Sequence, residues 1–274
     1  MAQPATATAP SLALDTPQLA ETYDRVSDKQ YEHGKLLIAS LAIAPGQRVL
    51  DVGSGTGRLG EYVAREIVGP TGQVHAIDPL PLRIELARKR ASPNHLPAVG
   101  RSDDLSAFAD QSFDIVFLNS VYHWLPEKLP TLREAFRVLK PGGRIGISVA
   151  SRERPHELRA VLQAAVNAAG ATLPTTTGST PFTVSAAELA TQHEQAGFLV
   201  DEIRLRVFDD LFASPEEVIA FSESSSFGNF LSEQPAEVRP RLHTAYITEL
   251  EKRRTTAGIR LQRRLLFSVA SKPS

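Results

Sequence analysis

An α/β fold, with a mostly parallel sheet covered on both faces by helices, is predicted by three features of this 274-residue chain. Short apolar strands alternate with helical stretches between residues 48 and 150, the first strand runs straight into a glycine-rich loop and a helix, and Pro45-Gly46 and Pro141-Gly142-Gly143 punctuate the cycle. Parallel neighbours need crossover connections, so strands that alternate with helices imply a parallel sheet between helical layers.

The elements follow in order. Residues 1–18, rich in Ala, Thr and Pro, are expected to form a disordered leader, because they bury too little to offset their ordering entropy. Residues 19–45 read as an N-terminal helical cap, with Val26, Leu36, Leu37, Ile38, Leu41 and Ile43 mostly at helical spacing. The core spans residues 46–150. Its strands are expected at 48–52, 73–78, 113–118 and 144–149, with helices running to about Val68, Arg90 and Leu139. Residues 151–274 complete it, with a helix over 156–170 ended by Gly170, a Thr-, Pro- and Gly-rich loop over 171–181 and a helix over 185–196 closed by Gly197. A strand at 198–208 and a last strand at 259–270 flank a helical stretch over 214–254. That stretch opens on an N-cap serine, Ser214, with Pro215 at its first position and Glu216 and Glu217 in its first turn.

Composition excludes several classes of function. Thirty basic against thirty-one acidic residues leave a net charge of -1, too little surplus to hold a nucleic-acid backbone. With Cys 0 there is no disulfide, no thiolate metal site and no cysteine nucleophile, and no metal is expected. The N-terminus lacks a basic segment followed by a long apolar run, and nothing later approaches a membrane span, so a cytoplasmic protein is the expectation.

The chemistry concentrates at the first loop. Gly53, Gly55 and Gly57 stand between a buried strand and a helix, where glycine lets the backbone turn sharply and the free helix-start amides attract a carboxylate or phosphate. A dinucleotide site would carry glycine where Arg58 stands, so the spacing is G-x-G-x-G. Asp51, just ahead of the loop, would repel a pyrophosphate but suits an ammonium group, which favours a cofactor bearing an amino acid. Asp78 ends the next strand, where an acid can accept both ribose hydroxyls. An ordinary glycine turn and an exposed strand-end acid are the plain alternatives; their joint occurrence at this separation favours a site.

Residues 49–59, Asp78, residues 113–119 and Leu139-Lys140-Pro141-Gly142-Gly143 together resemble the successive motifs of class I S-adenosylmethionine-dependent methyltransferases. Within that class the chain is similar to the small-molecule branch containing the ubiquinone, menaquinone and trans-aconitate methyltransferases. The resemblance implies a Rossmann-like, seven-stranded sheet with an antiparallel last strand, and a helical insertion over the active site at about residues 209–258. It also implies that Gly53, Ser54, Gly55 and Gly57 wrap the methionine part of S-adenosyl-L-methionine, that Asp78 followed by Pro79 holds the ribose, and that Asn119 and Ser120 meet the methionine end. The family often places an acid directly after a glycine to bind the adenine amino group, whereas here Gly100 is followed by Arg101; Asp103 and Leu105 are the nearest substitutes. Gln30 and Tyr23 lie in the leading helices, and Tyr23 resembles the tyrosine that shields the sulfonium.

For the acceptor, His123 within Tyr122-His123-Trp124 is the candidate general base, and its neighbours are a candidate aromatic wall; a core-anchoring Trp124 and a satisfied His123 are the alternatives. Arg260, Arg263 and Arg264 are candidates for recognising an acidic substrate, against the commoner solvated strand face. The expected activity is methylation of a small molecule, oxygen slightly ahead of nitrogen or carbon, by a monomer or homodimer. The alternative is a protein of the same fold that uses the cofactor for another purpose or as a regulatory ligand. Arsenic methylation is disfavoured because its substrate calls for thiolate ligands.

Overall fold

The computed structural model describes residues 11–171 and 180–274. The first ten residues of the expected leader and residues 172–179 of the expected loop lie outside the described residues.

The chain divides into two compact units. The sheet unit comprises Asp28–Glu153, Thr183–Arg206 and Leu265–Ser274; the helical unit takes in Met1–Ser27, Arg154–Phe182 and Val207–Arg264.

One sheet runs in the order β3-β2-β1-β4-β5-β8-β6, where β6 is Leu199–Phe212, with the two-residue β7 (Arg254–Thr255) paired to β8. β1 (Arg48–Val52), β2 (Gln73–Asp78), β3 (His95–Val99), β4 (Phe113–Asn119) and β5 (Leu139–Ala150) are parallel, and β8 (Gly258–Ser271) runs antiparallel to β5. β1 and β4 are apolar on both faces, as central parallel strands must be. Leu50, Val116 and Leu118 pack into one layer with Tyr122, Ile145 and Ile147, while Val49, Ile115 and Phe117 pack into the other with Ile38, Leu41 and Val63.

Three departures from the sequence reading have physical reasons. β3 went unread because Pro97 interrupts it; proline gives up no needed ladder bond on an edge strand, and β3 is the sheet's edge. Pro141-Gly142-Gly143 does not end the preceding helix in a separate turn but lies inside β5, where the register with β4 slips between Phe113 and Ile115 and Gly142 takes φ +74°. The long helical stretch is three helices, α8 (Pro215–Ser225), α9 (Asn229–Ser232) and α10 (Arg239–Glu251), broken where Phe227 and Gly228 turn left-handed at φ +60° and +77°.

The leading helices separate. α1 (Pro17–Val26) begins inside the expected leader, capped by Thr16 Oγ1, which accepts from the Leu19 amide at 3.2 Å, and it packs on α8 in the helical unit. α2 (Asp28–Ser40) belongs to the sheet unit and packs on β4 and β5. After them in sequence the sheet unit also holds α3 (Arg58–Tyr62, continued to Val68), α4 (Pro81–Arg90), α5 (Leu129–Val138) and α7 (Ala186–Gln195), and the helical unit holds α6 (Glu157–Ala168) against α10. α7 starts at a reciprocal cap in which Ser185 and Glu188 satisfy each other's amides. Among the described residues no helix is long and apolar enough to cross a membrane.

Candidate active site

The site is built at the carboxyl ends of β1, β2 and β4, where open parallel sheets bind ligands. β1 delivers Asp51, and the loop after it turns at Gly53, whose φ of +75° is left-handed. A Cβ there would stand 2.3 Å from Val121 Cγ2, so glycine is required both by conformation and by the close approach of the loop after β4. The amides of Gly53 and Ser54 donate to Ile77 O at 2.7 and 2.9 Å, which ties the loop to β2. Asp78, 7 % exposed, accepts from the Gly55 amide at 2.8 Å through Oδ2 and from the Leu80 amide at 3.0 Å through Oδ1. The strand-end acid therefore shapes the glycine loop and the entry to α4; Pro79 between Asp78 and Leu80 is exposed.

Gly57 is the N-cap of α3, at φ +77°, and a Cβ on it would meet Ala87 Cβ at 2.7 Å. Arg58, the residue that breaks the dinucleotide spacing, turns towards α2, where it pairs with Asp28 at 2.6 Å and lies over the Tyr31 ring at 4.9 Å. Tyr31 packs edge-on to Tyr62, so its role is to seat α2 on α3. Below the loop, His95 on β3 meets Glu61 of α3 at 3.1 Å, and burial lowers the histidine's pKa.

Asp51 is 2 % exposed. Burial first, and the neighbouring Asp78 carboxylate second, push its pKa well above the usual carboxylate range, against the pull of the Gly60 amide. Its Oδ2, Ser54 Oγ and Gln30 Oε1 are buried and take no hydrogen bond among the described residues. Buried polar atoms are nearly always satisfied, so such atoms, with Asp51 and Ser54 flanking the turn at Gly53 and Gln30 on the helix that meets Asn119, fit a polar ligand bearing a cation. A sulfonium amino acid nucleoside meets that description: its ammonium would be held by Asp51 and its ribose by Asp78.

The loop after β4 is fixed by side chains that sequence reading missed. Ser148 of β5, fully buried, donates from Oγ to Asn119 Oδ1 at 2.7 Å and accepts from the Ser120 amide at 2.9 Å. Asn119 Nδ2 in turn donates to Gln30 O of α2 at 3.2 Å. Ser120 is thereby held at φ +60°, an uncommon conformation for a non-glycine residue and one that clusters at functional sites. The signal for Ser148 was a serine in an otherwise apolar strand, but its partner is invisible without the fold.

The three aromatic-turn residues separate. Tyr122 is buried, with its hydroxyl donating to Gln192 Oε1 of α7 at 2.7 Å, and burial raises its pKa; it anchors the core, which corrects its place in an aromatic wall. His123 and Trp124 are half-buried, their rings 5.2 Å apart. Of the two residues expected at the adenine, Asp103 is held by Arg101 through bonds of 3.0 and 2.9 Å, which lower its pKa. Leu105 is a core residue, 1 % exposed, and its amide donates to Glu134 Oε2 at 2.8 Å. Both groups already have protein partners, so an adenine contact through either requires an exchange. Tyr23 lies on α1 in the helical unit, half-buried. Arg263 is not a free substrate-binding cation: it is committed to Asp210 at 2.6 Å.

The chain is similar to known methyltransferases. Residues 50–147 match the model of a methyltransferase domain. The chain is 40% identical over 114 residues to an arsenite methyltransferase of Halobacterium salinarum, a match covering 40% of this chain and 29% of that protein. It is 26% identical over 275 residues to a malonyl-[acyl-carrier protein] O-methyltransferase of a Marinomonas species, covering 96% of this chain and 94% of that one. The YcgJ protein of Bacillus shares the fold, with a TM-score of 0.60 at 18% identity over 89% of this chain and 99% of that one.

Residues 50–147 are a methyltransferase domain.

The matched segment covers 29% to 44% of the length of the arsenite methyltransferases it resembles. The methyltransferase family's cofactor is S-adenosylmethionine, and the shared segment, residues 50–147, runs from β1 through β5 and contains the glycine loop, Asp78 and the loop after β4. The helical unit falls largely outside it.

Proposed function

We propose that this methyltransferase transfers the methyl group of S-adenosylmethionine to an oxygen of a small-molecule acceptor. The observation that carries the reading is the trio of buried, unpartnered polar atoms, Asp51 Oδ2, Ser54 Oγ and Gln30 Oε1, beside a loop whose geometry Asp78 fixes. The preference for oxygen is supported by the malonyl-[acyl-carrier protein] O-methyltransferase, which aligns with nearly the whole chain. An arsenic acceptor remains disfavoured despite the arsenite methyltransferase relatives, because the chain supplies no thiolate.

When bound, the cofactor supplies an electrophilic methyl carbon and its own leaving group, so the protein's contribution is alignment and exclusion of water. Asp51 is to hold the ammonium and Ser54 the carboxylate end; Asp78, while retaining the Gly55 and Leu80 amides, is to accept the ribose hydroxyls through its remaining lone pairs. The backbone of Asn119 and Ser120, set by Ser148, positions the methionine end. His123 is to take the proton of a hydroxyl acceptor; a carboxylate acceptor attacks already deprotonated and needs only to be oriented.

Calorimetric titration with S-adenosylmethionine and S-adenosylhomocysteine tests the reading. Saturable binding to the wild type, weakened in Gly55→Arg and Asp78→Ala, is expected; absence of binding by the wild type would overturn it. A screen for metabolites heavier by one methyl group then identifies the acceptor.

A further inference from the structure

The Tyr122–Trp124 turn that carries His123 is a single three-residue 3-10 turn, closed by Trp124 N–H to Val121 O at 2.7 Å and by a long Leu125 N–H to Tyr122 O at 3.4 Å. So short a turn has little capacity to hold itself. Its outgoing carbonyls meet a side chain instead. Lys128, 8 % exposed just ahead of α5, directs Nζ to Tyr122 O at 2.5 Å and Leu125 O at 2.7 Å, and sits 4.8 Å from the centre of the Tyr122 ring. The Tyr122 hydroxyl is pinned from the other end by Gln192.

We infer that Lys128 is a positioning residue for the acceptor side of the site: its ammonium clamps the carbonyls on either side of His123 and Trp124 and so sets where the histidine stands. The inference rests on the reading of this turn as the acceptor-facing one. Burying a lysine is costly, and aiming the ammonium at backbone oxygens offsets that cost. Desolvation, and then the charge of Arg152 near the end of β5, bring Lys128 down to about 7. Arg152 is itself neutralised by Glu188 of α7 at 2.5 Å, and the Tyr122 phenol, raised by burial, stays neutral. The clamp is therefore charged and tight below neutrality and weakens as the amine loses its proton above it.

Trp124 is the chain's single tryptophan, so the turn reports on itself. The experiment follows Trp124 emission and its quenching by acrylamide in the full-length protein from pH 5.5 to 8.5, without cofactor or acceptor. The wild type is expected to shift to longer wavelength and to become more accessible as pH rises, with a midpoint near 7. Lys128→Met is expected to show the high-pH signal throughout, Lys128→Arg to lose the transition because its charge persists, and His123→Gln to keep it. A wild-type signal flat across this range, or a transition abolished in His123→Gln, overturns the inference, and the first outcome does so even if Lys128→Met fails to fold. Cofactor affinity is expected to stay within about twofold of wild type in both lysine variants, a difference of roughly half a kcal/mol. Since emission is read without ligands, failure of the clamp leaves the methyl-transfer reading standing, and failure to bind cofactor leaves the clamp standing.

Discussion

The two units solve the problem of buried polarity in opposite ways. In the sheet unit, backbone conformation and loop amides do most of the work: Gly53 and Gly57 turn left-handed, Asp78 gathers two amides, and Ser148 holds Ser120 in place. Some polar atoms are left over there, around Asp51, Ser54 and Gln30. In the helical unit, side chains pair mainly with one another, with Arg263 Nη2 also buried without a hydrogen bond among the described residues. Phe221, Tyr246, Leu242 and Leu250 pack together, Ser222 and Ser224 donate back to the preceding turn of α8, and Arg263, with Phe221 beneath its guanidinium at 5.0 Å, is paired with Asp210. In the sheet unit two of the leftover atoms, Asp51 Oδ2 and Ser54 Oγ, stand at the glycine loop, whereas the one on Arg263 belongs to a side chain already paired with Asp210.

The comparison breaks most readily at the buried ion pair. Asp210→Ala, which strands Arg263, is expected to cost about 3–5 kcal/mol in denaturant unfolding, yet to leave cofactor affinity within about twofold; a large fall in affinity would show that the units do not act separately. Gly53→Ala comes next, at roughly 2–4 kcal/mol from left-handed strain and overpacking against Val121. Here calorimetry should show cofactor binding falling together with stability, and the added Val121→Ala should recover part of both losses. Asp78→Ala is expected to weaken S-adenosylmethionine by about 10- to 100-fold, since the carboxylate that shapes the loop is also the one proposed to accept the ribose hydroxyls.

Asp51→Asn sharpens the contrast with the smallest effect, and in the opposite direction. The folded state raises the Asp51 carboxyl above its unfolded value, so the stability it contributes is present below the ordinary carboxylate range and is lost as pH rises through the raised folded value. At neutral pH the ionised form is therefore a liability that the amide removes. Scanning calorimetry should find Asp51→Asn melting roughly 2–4 °C higher near pH 7, with the gap closing towards pH 4, while cofactor affinity falls. A variant that is no more stable at pH 7 would mean that the carboxylate is already compensated in the free protein.

Much of the sheet unit was legible because its signals are local. β1 and β2 are the runs 48–52 and 73–78, and α4 ends at Arg90, as strand propensity, glycine and proline spacing imply. β3 was hidden by a proline that only an edge position tolerates, and the three-helix break at Phe227 and Gly228 was hidden because glycine inside a helical pattern does not by itself announce a left-handed turn. In the site, Tyr122 read as a wall residue and Leu105 as a ligand contact because exposure cannot be taken from residue type; the fold buries both.

By itself the sequence determined the alternation of strands and helices, the glycine loop with Asp51 and Asp78 at the ends of neighbouring strands, and the absence of thiolate chemistry. Each is fixed by neighbours a few residues apart or by composition. Only the tertiary structure decided which unit each leading helix joins, that Ser148 holds Asn119 and Ser120, that Gln192 pins Tyr122, and that Arg263 is spent on Asp210. Those partners lie 28 to 70 residues apart. A buried polar group takes whichever partner the folded backbone brings within reach, and that choice is written in three dimensions.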